Sequence, residues 1–302
     1  MRSSKLLIIA IWLLWPLSAN AATCFWVGGT GSITPSNTAS WASASGGTSG
    51  SCAATGGIPK QAGDTATFDG ASGGGIITLN MGGTWTLGTI ICGSFTGTID
   101  NSVNNNNVTL TTGGIALNCG GSGVRSLKLG SATYTLTGIN AQWTINITTN
   151  LTFDAGTSTI LFANGNCGSR QFAGGNLTYA TLTLDFCTGT SQYVINSGNN
   201  TFSNLNINGP NYVQFPNGST QTVTNSLTWL GASNGAIGIV SASLDSFATI
   251  AAPSTVTMQY VAFRDMSFTG SPTAQNSFDL LHNSGITILG PSGGGGGHII
   301  GG

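Results

Sequence analysis

The chain contains no glutamate, and charged residues of any kind make up only 5% of it. Seven Lys plus Arg and eight acids, all aspartate, are spread over 302 residues. Helix surfaces are normally built from Glu, Lys and Arg, so this shortage excludes a helical bundle and argues against an α/β fold. The scarcity of basic residues excludes nucleic acid as a partner, because neutralising phosphates takes clustered Lys and Arg. Disorder is excluded from the other side: disordered chains are poor in apolar residues and high in net charge, whereas 40% of this chain is hydrophobic and its net charge is −1. No C-x-x-C pair occurs, and His282 and His298 lie far along the chain from every cysteine, which leaves no metal-ligand spacing.

What is present is Gly, 47 residues of it, together with abundant Thr, Ser and Asn set among short apolar runs. Ile76-Ile77-Thr78-Leu79, Leu127-Lys128-Leu129, Tyr134-Thr135-Leu136 and Ile160-Leu161-Phe162 are each bounded by Gly or Asn within a few residues. Runs this short and this often punctuated predict strands of three to five residues. Leu182, Leu205 and Leu227 recur in similar settings, Leu-Thr-Leu-Asp, Leu-Asn-Ile-Asn and Leu-Thr-Trp. A repeat of 20 to 30 residues is the signature of stacked coils.

Six cysteines, Cys24, Cys52, Cys92, Cys119, Cys167 and Cys187, fall into successive pairs at about the same spacing. Fifteen pairings are possible in principle; the spacing favours Cys24 with Cys52, Cys92 with Cys119 and Cys167 with Cys187, each joining neighbouring coils. The two periods together predict an all-β, right-handed parallel β-helix, with a β-sandwich or jelly roll as the alternative. Roughly ten rungs at about 4.8 Å would give a rod on the order of 50 Å long. Asn104 to Asn107 and Asn199-Asn200 suit its corners, where Asn tolerates left-handed backbone and its amides can stack.

Arg2 and Lys5, the apolar stretch Leu6 to Leu17 and Ala19-Asn20-Ala21 form the three regions of a secretory signal peptide, residues 1–21. The stretch is about 12 residues where a spanning helix needs about 20, so no membrane span is expected after cleavage. Removal of Arg2 and Lys5 would leave five basic residues against eight Asp, a net charge of −3. Export also suits disulfides. The expected division is then an irregular cap over 22–70, a β-helix over 71–289 and a Gly-rich tail over 290–302.

Phe25-Trp26-Val27-Gly28-Gly29, Ala39-Ser40-Trp41, Gly56-Gly57-Ile58-Pro59 and Gly63-Asp64-Thr65-Ala66-Thr67-Phe68-Asp69-Gly70, followed by an Ile-Thr-Leu strand, resemble the opening of autotransporter passengers and related bacterial or phage surface β-helix proteins. The resemblance covers about 60 residues and implies a pectin-lyase-like β-helix exposed outside the cell. No translocator barrel follows, so self-secretion is not implied.

Because β-helices often cleave polysaccharides, catalysis has to be weighed. The aspartates at 64, 69, 100, 154, 185, 245, 265 and 279 are scattered singly, whereas glycoside hydrolysis needs carboxylates converging on one bond. Coil stacking could join Asp154 to Asp185. A lyase base would have to come from Arg125, Lys128, Arg170 or Arg264, and Arg264-Asp265 reads as a local surface pair. The G-x-S-x-G matches at Ser72, Ser233 and Ser292 are what chance gives in so Gly- and Ser-rich a chain. No catalytic residue and no cofactor is assigned. Trp85, Trp143, Trp229, Tyr193, Tyr212 and Tyr260 are candidates for stacking on sugar rings. The expected function is a secreted or cell-surface β-helix with a structural or adhesive role, its partner a cell-surface or envelope polysaccharide. The alternatives are a polysaccharide-degrading enzyme of the same fold and a phage tail or fibre component.

Overall fold

A computed structural model describes residues 21–291, apart from 164, 167, 186, 189–191, 210 and 211. The chain is a parallel β-helix solenoid built on three sheets. The longest has twelve strands. It opens with Trp41–Ala42 antiparallel to Thr23–Trp26, then continues in parallel through Thr65–Thr67, Thr89–Ile91, Ile115–Asn118 and onward to Phe278–Asp279. A ten-stranded sheet runs from Trp85–Leu87 to Met266–Thr269. A five-stranded sheet starts at Gly31–Ile33 and stops at Leu151–Asp154.

Alternation of inward and outward side chains in most of the short strands explains why the chain coils. Thr133–Leu136 turns Tyr134 and Leu136 inward and Thr133 and Thr135 outward, because successive side chains point to opposite faces. One coil supplies one strand per face and buries little alone; stacked coils form a continuous core. The expected leucine register is the observed one: Leu182 pairs with Leu205 and Leu205 with Leu227. Beside it run Leu184, Ile207 and Trp229, all fully buried. Aromatic rings continue the core along the axis, with Trp26 on Trp41 at 5.3 Å, Trp41 on Phe68 at 5.8 Å and Phe68 on Phe95 at 6.0 Å at the N-terminal end.

Halfway along the rod the cross-section changes. The five-stranded sheet ends at Asp154, and the strands of the ten-stranded sheet lengthen to Thr178–Leu184, Thr201–Asn208 and Thr220–Leu230. The expected division at residue 70 does not coincide with a sheet edge. Thr23–Trp26 already pairs in parallel with Thr65–Thr67, and Gly31–Ile33 with Ile76–Leu79. The irregular part is the stretch between Ala42 and Thr65.

Cys24–Cys52 and Cys92–Cys119 are disulfide-bonded, with Cα atoms 5.4 and 4.5 Å apart. Cys92–Cys119 joins neighbouring coils as expected, just past the rung where Ile91 pairs with Asn118. Cys24–Cys52 does not. Cys24 has Ala66 as its rung neighbour, so this bridge instead ties the irregular stretch back onto the first rung. The expected Cys167–Cys187 bridge lies outside the described residues, although the backbone of Cys187 pairs with that of Gly165. Residues 1–20 of the expected signal peptide and the part of the expected Gly-rich tail beyond Pro291 also lie outside them.

The corner asparagines act between coils. Asn105 has φ 52°, and its Oδ1 accepts from Ser131 N of the next coil at 2.6 Å. Asn106 Oδ1 accepts from Met81 N, Asn107 Oδ1 from Thr133 N and Asn199 Oδ1 from Thr220 N.

Candidate functional site

The outward face of the ten-stranded sheet carries two in-register columns of small polar side chains. One runs through Thr86, Thr109 and Thr135, is interrupted by the apolar Leu161, and continues through Thr183, Asn206, Thr228 and Thr257. Beside it, two residues earlier on each strand, lie Thr133, Thr159, Thr181, Asn204, Ser226 and Thr255. Neither column contains a charge. The middle rungs are hydrogen-bonded to one another: Asn204 Nδ2 donates to Thr181 Oγ1 at 3.1 Å, Asn206 Nδ2 to Thr183 Oγ1 at 3.3 Å and Ser226 Oγ to Asn204 Oδ1 at 2.7 Å. At the last rung the face runs into a groove of about 350 Å³ whose lining includes Pro253, Thr257, Gln259, Ser271 and Pro272. The sequence carries a signal for these columns, since every leucine of the 182, 205 and 227 register is flanked by Thr, Ser or Asn on both sides.

The other faces differ. On the five-stranded sheet Lys128 pairs with Asp100 on one side and Asp154 on the other, with Lys128 Nζ 3.6 Å from Asp100 Oδ2. On the twelve-stranded sheet Ile91, Ile115, Val194, Tyr212 and Arg264 interrupt the polar outward positions.

Most of the expected sugar-stacking aromatics are interior. Trp85, Trp143, Trp229 and Tyr193 are at most 2% exposed, because a solenoid interior has room for large flat rings; Tyr212, at 37%, reaches the surface. Burial pushes the Tyr134, Tyr179 and Tyr193 phenols above their usual range, opposed at Tyr193 by the charge and hydrogen bond of Arg170.

The candidate lyase bases Arg125 and Arg170 are likewise buried. Arg125 donates to the carbonyls of Cys119, Gly123, Ile147 and Thr149, linking two coils. Arg170 Nε donates to Gly138 O at 3.1 Å and its Nη1 to Ala163 O at 2.6 Å and to Tyr193 Oη at 3.3 Å. No solvent-facing base remains at either position. Burial also draws the Arg125 guanidinium below its ordinary value.

Asp154 and Asp185 are not brought together. Asp154 ends the five-stranded sheet beside Lys128, whereas Asp185 lies past a strand of the ten-stranded sheet and accepts from Asn208 Nδ2 at 3.1 Å. Ser72 is buried in a one-turn 3-10 helix capped by Asp69.

Arg264-Asp265 is not the expected surface pair, for Asp265 is only 1% exposed, 3.3 Å from Arg264 Nε. Three successive left-handed corners stack here, at Asp245, Asp265 and His282, with φ of 56°, 56° and 53°. His282 Nδ1 lies 2.8 Å from Asp245 Oδ1 and 3.3 Å from Asp265 Oδ1, and Asp245 N donates to Asp265 Oδ1. No local signal in the sequence marks this group, because the last coils, at separations of 20 and 17 residues, are shorter than those before. Their donor atoms lie within 4.8 Å of one another, close enough to share a cation. Each already has a partner inside the cluster, and Arg264 supplies a neighbouring positive charge. Carboxylates that hydrolyse a glycosidic bond flank an open cleft about 5 to 9.5 Å apart; a buried Asp265 sharing one imidazole with Asp245 does not have that arrangement.

The chain matches no family model, no curated protein and no solved structure. The fold defines its class as a disulfide-bonded parallel β-helix. No helix among the described residues is long and apolar enough to cross a membrane.

Proposed function

We propose that this chain is an exported, surface-exposed β-helix of the autotransporter-passenger-like kind, with a structural or adhesive role and carbohydrate as its ligand. The observation that carries the reading is the uncharged ladder of Thr, Asn and Ser on a disulfide-bonded rod. A rigid sheet presenting fixed hydroxyl and amide groups meets a hydroxyl-rich polymer without desolvating any charge. Two disulfides fit a non-reducing compartment, and the signal-peptide pattern of residues 1–21 supports export.

Size-exclusion chromatography with light scattering, on the oxidised mature protein mixed with envelope and plant polysaccharides, tests this. Co-elution with unchanged polymer length is expected. Shortened polymer refutes the non-enzymatic role, while absence of co-elution with every polymer refutes the carbohydrate ligand.

A second reading, a fibre component that assembles with copies of itself, draws on Leu244 and Leu281. They are 68% and 66% exposed and directly precede Asp245 and His282, which are joined at 2.8 Å. Apolar exposure of this kind marks contact surfaces. The protein run alone in the same experiment reads it out: a trimer mass favours the fibre, a monomer mass the adhesive module.

A further inference from the structure

We propose that the ten-stranded sheet alone is the carbohydrate-binding face, and that its ligand is an extended, neutral polysaccharide held along the rod by many weak contacts. This inference rests on the carbohydrate reading above and assigns its face, its ligand class and the origin of its affinity.

Charge selects the face. The two ladder columns are uncharged, and the one carboxylate beside them among the described residues, Asp185, is held by Asn208 Nδ2; the five-stranded sheet carries Asp100, Lys128 and Asp154 in its strands and the twelve-stranded sheet carries Arg264. A neutral polymer can lie on the ladder without separating an ion pair from water. A polyanion gains nothing there and is opposed by a chain whose aspartates outnumber its basic residues.

Preorganisation selects the same face. Asn204 and Asn206 are already bonded to Thr181 and Thr183, so their amides lose little rotamer freedom on binding. Asn204 Oδ1 also accepts from Asn225 Nδ2 and Ser226 Oγ, which fixes this side chain further.

Length follows from what the face lacks. No Trp or Phe stands in either column, so no ring is available to stack on a sugar, and each contact is a hydrogen bond made in competition with water. Such bonds are weak singly. The longer column spans eight rungs, about 34 Å at about 4.8 Å per interval, and ends at the groove beside Thr257. Linked weak sites bind through effective concentration, so affinity should rise steeply with polymer length until the column is covered.

The test titrates the oxidised mature protein against linear neutral β-glucans of graded length and against polygalacturonate. Wild type is compared with Thr183→Lys/Thr228→Lys on the ladder and with Gln171→Lys on the twelve-stranded sheet. Neutral glucan is expected to bind more tightly with each added length up to the span of the column, and more tightly than polygalacturonate. The ladder variant should lose about tenfold or more in affinity and Gln171→Lys less than about twofold. If the lysine pair prevents folding, Thr183→Val/Thr228→Val, which deletes two hydroxyls at constant shape, should still lose about threefold.

No binding of wild type to any neutral glucan overturns the carbohydrate reading itself. Binding that the ladder variants leave intact, or that Gln171→Lys weakens equally, overturns the face and leaves the carbohydrate reading standing. Affinity independent of length, or tighter binding to polygalacturonate, overturns the ligand class.

Discussion

Arg170 offers the sharpest test of how this solenoid is held together. Its guanidinium is fully buried, with no carboxylate among the described residues within ion-pair distance, and its charge is met by carbonyls and a phenol on the coils around it. Replacing it with methionine keeps the stem and removes the fork. Hydrogen bonds to a charged group contribute about 1.5–3 kcal/mol each, and two of these have good geometry, at 3.1 and 2.6 Å. Relief from burying the charge offsets part of that loss. The carbonyls of Gly138 and Ala163 are left without this donor, so the net destabilisation of Arg170→Met should be about 3 kcal/mol. For a chain of this size that corresponds to a fall in Tm of about 5 °C. Arg170→Lys should be no better than methionine, since a single ammonium cannot reproduce a planar fork aimed at separate acceptors. Urea unfolding followed by tryptophan fluorescence measures it, because every Trp among the described residues is buried. Stability of Arg170→Met within about 0.5 kcal/mol of wild type would refute the idea that buried arginines bind the coils together.

The Cys92–Cys119 bridge closes a 27-residue separation, so Cys92→Ser/Cys119→Ser should lower stability by about 3.5 kcal/mol by chain entropy. Chemical denaturation of the oxidised double variant reads this out, and an unchanged midpoint counts against it. Alkaline titration tests the buried phenols. Burial raises Tyr134, Tyr179 and Tyr193 above the ordinary value of 10.0, so the folded state holds protons that the unfolded state releases. Stability is therefore full below that value and falls as pH rises beyond it. Phenolate absorbance from these three should appear together with loss of the β-sheet circular dichroism signal; ionisation of Tyr134, Tyr179 and Tyr193 near the ordinary value with the sheet signal intact would contradict it.

The repeat was legible because alternation is local. Thr181-Leu182-Thr183 and Asn204-Leu205-Asn206 announce both an inward leucine and an outward polar pair, and their equal spacing placed them on successive rungs of the ten-stranded sheet. The ladder could be read from those flanking residues once the leucines were taken as inward. The buried arginines could not, because nothing local separates Arg170, aimed at interior carbonyls, from Arg264, partly exposed and paired with the buried Asp265.

By itself the sequence determined an all-β chain of short strands, a coil of 20 to 30 residues and the Cys92–Cys119 bridge. Each of these follows from spacing within one coil or between two coils of ordinary length. Only the tertiary structure decided that Cys52 returns to the first rung, that Trp85, Trp143 and Trp229 fill the interior, and that Asp245, Asp265 and His282 meet at one corner. The physical reason is that coils differ in length. Asp245 to Asp265 spans 20 residues and Asp265 to His282 spans 17, so a fixed period cannot say which side chains stack. That is settled by the rung-to-rung hydrogen bonds, which align each coil on the one beneath it whatever its corners contain.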